Sequence, residues 1–268
     1  MANAAGVVLL DAGRKHPAQP RFKTALSRYY RARTGRDPVK AFKGLDVKAE
    51  AFGKPARDLL AWVRKDARLD GDEGLLDYDV LRVVGRFYPG NLATRAAWVM
   101  ATLEGPLETD GNNDGPIIRE LQRTGDLPPG EWPWCAITVY AGLVAAGWKH
   151  AAAFRAAASE AWVEAWDGAA RAGRFGLSMT SPQVAAATPA QRSVLILFRF
   201  DYGSVEDHIG MTLGFPDVQR WTAPTVEGNT SSGAFGSQAD GGGVWRRTRS
   251  LGSTSSPNVG TTLIAVAG

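Results

Sequence analysis

Cys135, His208, Glu227 and Asn229 supply, in that order along the chain, the side-chain types that a covalent acyl transfer needs. A thiol attacks, an imidazole moves the proton, and a carboxylate or amide holds the imidazole. A thiol is an effective nucleophile as the thiolate, and the unpaired N–H groups of a helix N-terminus favour that form. Cys135 opens the stretch CAITVYAGLVAAG, in which Ile137, Tyr140, Leu143 and Val144 make one apolar stripe and Gly147 stands where a C-terminal cap belongs. Of the three histidines, His16 lies in an irregular lead and His150 just after a helix cap, so both are expected at the surface. His208 instead begins an alternating strand, with Ile209, Met211 and Leu213 on one side and His208, Gly210 and Thr212 on the other. In TVEGNTS, Glu227 and Asn229 are two apart and project to the same face of a strand. They lie roughly 7 Å apart at about 3.3 Å per residue, so one imidazole N–H bonds one of them. Either can accept it, and the carboxylate is favoured because it also stabilises the imidazolium. Asp207, next to His208, would point away from it on a strand.

These groups need a scaffold, and the pattern for one is present. Apolar spacing predicts helices over residues 22–33, 55–67, 78–86, 92–104, 116–124 and 135–146, and a long Ala-rich helix over 151–172. The period then changes. Five short β-rich segments follow at 193–200, 208–215, 223–229, 242–249 and 261–267, separated by Gly, Asp, Ser and Pro clusters. Helices followed by an antiparallel sheet read as an α+β fold. Pro89, Gly90 and Asn91 in FYPGN interrupt the helices, and Asn91 can cap the next one. A boundary there divides the chain into a small helical domain, 1–90, and a domain over 91–268 that carries the chemistry.

The net charge of +4 conceals an asymmetry. Residues 1–68 hold 16 Lys and Arg against 6 Asp and Glu, a net +10, while the other 200 residues hold 15 against 21, a net −6. The basic part suits an anionic polymer, which charge alone does not identify. A single cysteine excludes an intrachain disulfide and a four-cysteine metal site, and the histidines lack zinc-site spacing. No cofactor is expected. The loop DGNNDG, 110–115, opens like an EF-hand, but Leu121 stands where the bidentate Glu is required, which leaves only an irregular calcium site around Asp110 to Asp114. The apolar run GVVLL near the start is too short for a signal sequence, and nowhere do 18 apolar residues run together. The expectation is a monomer made in the cytoplasm, with no membrane insertion and no nucleic-acid partner.

Four motifs occur in a fixed order: N-x-G-P at Asn113, Gly115 and Pro116; P-W-C-A at Pro133 to Ala136; H-I-G at His208; and E-x-N at Glu227 and Asn229. Together they resemble the CHAP family, the cysteine, histidine-dependent amidohydrolases/peptidases, over about residues 92–268. The resemblance implies a papain-like catalytic domain. It also implies hydrolysis of an amide bond in bacterial peptidoglycan, as an N-acetylmuramoyl-L-alanine amidase or an endopeptidase, with Cys135 and His208 catalytic and Glu227 or Asn229 orienting. The family's Gly-Asp before the apolar strand is missing, since this chain has QRSVLILFRF. Trp132 and Trp134 flank the nucleophile and read either as a substrate surface or as core aromatics. The segment AFGKPARDLLAWVRKDARLDGDEGLLDYDVLRVV is similar to helical peptidoglycan-binding repeats through Phe52, Gly53, Leu60, Trp62, Leu69 and the turn at Asp70 and Gly71. A wall-binding module beside a hydrolase, without a signal peptide, resembles a bacteriophage endolysin acting on the wall after release from the host cytoplasm. The alternative from another class is a non-catalytic wall-binding or tail-associated structural protein.

Overall fold

A computed structural model describes residues 16, 18–49, 51–69, 77–110, 113–128, 130, 132–189, 192–200, 206–232, 241–251 and 260–267. The chain is α+β, with helices preceding most of an antiparallel sheet. The first helices are α1 (Gln19–Thr34), α2 (Pro38–Ala41), α3 (Lys54–Ala67) and α4 (Tyr78–Val84). Gly35 ends α1 in the left-handed region, φ 68°, and its N–H bonds Arg31 O at 2.8 Å. Asp77 caps α4 by accepting from Val80 N–H at 3.0 Å. The turn expected at Asp70 and Gly71 lies outside the described residues.

Next come α5 (Leu92–Thr102), α6 (Pro116–Thr124), α7 (Cys135–Ala146), α8 (Ala151–Ala157), α9 (Val163–Arg171) and α10 (Pro182–Ala187). Asn91 caps α5 as the sequence suggested, accepting from Thr94 N–H at 2.9 Å. The strands are β1 (Gly105–Pro106), β2 (Leu177–Thr180), β3 (Leu195–Arg199), β4 (His208–Thr212), β5 (Thr222–Thr230), β6 (Gly243–Ser250) and β7 (Gly260–Val266). They form one sheet in the order β1-β6-β5-β4-β3-β7-β2, every described pairing antiparallel, with β4 at its centre. The edge strands β1 and β2 are only two and four residues long and pair with β6 and β7.

Three local expectations change. The helix expected over 151–172 is two helices, because Ala158 is extended and Ser159 O accepts from Trp162 N–H in a turn. The break brings Phe154 and Trp166 together with ring centroids 4.5 Å apart, a contact that one straight helix cannot make at a separation of twelve residues. Secondly, α7 is not amphipathic: every residue but Val144 is buried, since α5, β4 and β5 cover it from several sides. Thirdly, His16 is not at the surface; it is buried, with Nε2 2.8 Å from Glu104 Oε2, and Arg246 Nε donates to the same oxygen at 2.5 Å.

One cluster of buried apolar side chains runs from Ala18 to Ile264, so the helices before residue 90 share a core with those after it. Tyr78 Oη, buried, donates to Ala141 O of α7 at 2.7 Å. The FYPGN segment marks the entry into α5 within that shared core. A smaller cluster, including Ile196, Phe198, Ala223 and Leu263, packs separately.

Candidate active site

Cys135 is the first residue of α7, and Trp134 before it makes no side-chain cap. The first N–H groups of a helix lack intrahelical acceptors, so they converge on the space beside the thiol. The helix packs against β4 and β5, and Gly228 permits the approach: a Cβ there would fall 2.3 Å from Thr138 Oγ1. The His208 imidazole, at the start of β4, has the Cys135 thiol among the groups that act on its charge. Cys135 is 3 % exposed, and His208 and Glu227 are fully buried.

Register explains how Glu227 meets the imidazole. Gly210 pairs with Glu227 across β4 and β5, and strand alternation puts His208 on the same face two residues away. To reach the ring, the Glu227 side chain crosses Gly210, where a Cβ would sit 2.6 Å from Glu227 Cγ. Glycine is therefore required for space at this position. Glu227 Oε2 lies 3.2 Å from His208 Nε2, and Thr225 Oγ1 donates to Oε1 at 2.5 Å. With Nε2–H given to the carboxylate, Nδ1 is the nitrogen left for the thiol, and it has no hydrogen-bond partner. The chemistry available is proton transfer from Sγ to Nδ1, with Glu227 facing the imidazolium that results.

Charge supports the same assignment. Burial by itself disfavours the imidazolium, but the Cys135 thiol and the Glu227 carboxylate outweigh it and push His208 up to about 9. Burial also opposes ionisation of Glu227; Arg249, followed by His208, overcomes it and brings the carboxyl down to about 2. Arg249 was not among the residues singled out from the sequence. Its Nε donates to Glu227 Oε1 at 2.8 Å and Oε2 at 3.1 Å, and its Nη2 donates to Oε2 as well. The signal that could have pointed to it is a basic residue on β6 sharing the parity of Glu227's partner, Trp245, and register between distant segments is needed to use that signal.

Asn229 does not hold the imidazole. It sits at φ 55° inside an irregularity of β5 between Glu227 and Thr230, which interrupts the alternation that would have put it beside Glu227. Its carboxamide is buried, and neither the oxygen nor the nitrogen has a hydrogen-bond partner. Asp207 closes the β3–β4 connection by accepting from Phe200 N–H at 3.2 Å and lies off the line from Cys135 to Glu227. Trp134 is fully buried, its indole N–H donating to Glu108 Oε1 at 3.1 Å, so of its two readings the structure supports the core aromatic. Trp132 is partly buried, with its N–H donating to Pro128 O at 3.1 Å.

Residues 111 and 112 of the calcium candidate lie outside the described residues, and its two described carboxylates, Asp110 and Asp114, are paired with a cationic side chain. Arg119 donates to Asp110 Oδ2 at 2.5 Å and to Asp114 Oδ1 at 2.8 Å, so a cation would have to displace a guanidinium. Among the described residues no group of three or more His, Cys, Asp or Glu side chains is gathered as metal ligands. None of their helices is long and apolar enough to cross a membrane. A cleft of about 530 Å³ lies against Tyr140 and Val144, toward the other end of α7 from Cys135, and is lined by none of Cys135, His208 and Glu227. In comparisons with known proteins, no family model, no curated protein and no solved structure matches the chain.

Proposed function

We propose that the chain is a papain-like cysteine hydrolase that cleaves an amide bond in bacterial peptidoglycan, acting on the wall after release from a phage-infected cell. The observation that carries this reading is the buried line from Cys135 through His208 to Glu227, with the thiol at a helix N-terminus and the other two groups on adjacent strands. The order of the N-x-G-P, P-W-C-A, H-I-G and E-x-N motifs supports peptidoglycan as the substrate. In the proposed reaction Nδ1 of His208 takes the thiol proton, Sγ attacks the amide carbonyl, and the imidazolium protonates the departing amine. Water then hydrolyses the thioester, with the imidazole as base. The Cys135 backbone N–H is one donor to the developing oxyanion. The unpartnered Asn229 carboxamide supports a role in receiving a polar group brought by the substrate.

The test is incubation of the purified chain with isolated bacterial walls, followed by mass spectrometry of the released fragments. New amine termini at one type of bond, absent with Cys135→Ser, are expected, and their position separates amidase from endopeptidase. Intact walls after exposure to folded, thiol-reactive protein would refute peptidoglycan as substrate.

A further inference from the structure

Arg249 is built into the catalytic line more closely than an incidental ion pair requires. It comes from β6, opposite Ala223 of β5 and on the same face as Glu227, and its side chain is 12 % exposed. Its guanidinium meets both oxygens of Glu227, leaving Oε2 also turned to His208 Nε2. The guanidinium carbon stands 5.2 Å from the ring centroids of both Phe198 and Phe200, which stack on each other with planes 7° apart. His208 lies against the same two rings, at 5.8 and 5.6 Å. One aromatic pair therefore sets the position of the imidazole and of the arginine, with the carboxylate held between them.

We propose that Arg249 is a positioning residue: its fork clasps Glu227 so that this carboxylate stays charged and turned toward His208. The inference rests on Cys135 and His208 acting as a nucleophile–base pair. An isolated carboxylate as deeply buried as Glu227 would take up a proton, and a protonated Glu227 would no longer face the imidazolium with a charge. The charged and titratable groups acting on Glu227 are Arg249 and His208, with Arg247 two residues before Arg249 on β6 and Cys135 beyond the imidazole. Loss of the guanidinium therefore weakens the thiolate–imidazolium pair in two ways. The carboxylate is neutralised at a higher pH, and while it remains charged the site carries one more uncompensated negative charge against the thiolate.

Cys135 is the only cysteine in the chain, so its alkylation by iodoacetamide reads the site without reference to wall lysis. The full-length wild type, Arg249→Met, Arg249→Lys, Glu227→Gln and the double variant Glu227→Gln/Arg249→Met are alkylated from pH 4 to 9, with melting curves at pH 7.5 to confirm folding. In Arg249→Met the acid limb is expected to move up by a unit or more, which is a roughly tenfold or greater loss of rate at any pH below the wild-type limb. Arg249→Lys returns the charge without the fork and should fall between the two. If Arg249 acts through Glu227, adding Arg249→Met to Glu227→Gln changes the profile no further. A purely structural clamp between β5 and β6 would lower the melting temperature and leave the limb in place. An Arg249→Met profile superimposed on wild type overturns the proposal, as does an equal shift in the Glu227→Gln background. If Arg249→Met does not fold, the comparison of Glu227→Gln with the double variant, which removes the buried unpaired carboxylate, decides the question by the same criterion. Displaced profiles together with no lysis by the wild type would sink the peptidoglycan reading and leave the role of Arg249 standing.

Discussion

Lys23 in the amino-terminal helices and Glu227 in the sheet are both charged groups in the interior, and their surroundings differ. Lys23 Nζ donates to three backbone carbonyls, Asp46 O and Ala49 O at 2.5 Å and Ala51 O at 3.3 Å. Those three bonds use all of the donors of an ammonium. The result ties α1 to the segment leading into α3, beside the Phe22–Phe52 ring stack. Around Glu227 two of the partners, Arg249 and His208, are themselves ionisable, and the cluster stays open at one end: His208 Nδ1 is left for the thiol, and the Asn229 carboxamide has no partner. The contrast is that a buried ion with every valence filled holds the chain together. A buried ion whose neighbour retains an unused nitrogen can take part in proton transfer.

Four experiments break or sharpen this contrast. The largest effect is expected for Cys135→Ser, which should cut wall lysis by about a thousandfold or more, because a hydroxyl gives up its proton far less readily than a thiol. Its melting temperature should stay close to wild type. Lytic activity near wild type would remove Cys135 from the nucleophile role.

Glu227→Gln comes next. Replacing the carboxylate that faces the imidazolium should lower the rate by about 10² to 10⁴, and the basic limb of the pH–rate profile should move down from about 9. Asn229→Ala should have a smaller effect and leave that limb unmoved. The same groups set the pH dependence of stability. The raised pKa of His208 contributes stability that is complete below its unfolded value and lost as pH rises through about 9. The lowered pKa of Glu227 contributes stability present above its unfolded value and lost as pH falls through about 2. Chemical denaturation across pH should show both slopes in wild type and neither in full in Glu227→Gln.

Lys23→Met tests the closed side of the comparison. It strands three carbonyls and should cost about 1–3 kcal/mol in chemical denaturation, while the Cys135 alkylation profile stays where it is. A shift of that profile would mean that the two regions are coupled through the shared core.

The smallest effect concerns the exposed bases of the helical part. Lys40 and Lys43 are exposed, and charge reversal of both should weaken binding of the full-length Cys135→Ser protein to walls at low salt. The difference should vanish as salt rises, since exposed charges are screened over roughly 10 Å at 0.1 M. Binding that ignores both salt and charge reversal would move wall recognition to another surface.

Much of the site was legible because its chemistry is local. Cys135 at a helix start, His208 at the head of an alternating strand and the acid or amide pair in TVEGN follow from residue type and period, as does the Asn91 cap. Helices followed by strands were enough for α+β. Other features depended on contacts between distant segments. The register of β5 against β6 brings Arg249 to Glu227, and an irregularity at Asn229 separates two residues that simple alternation puts on one face. Burial of α7 on nearly every side, the hydrogen bond between the buried His16 and Glu104 and the turn that lets Phe154 meet Trp166 have the same origin. A sequence pattern states which way each side chain points within its own element. Which neighbour it then meets is set by register and packing across tens of residues, and only the tertiary structure supplies those.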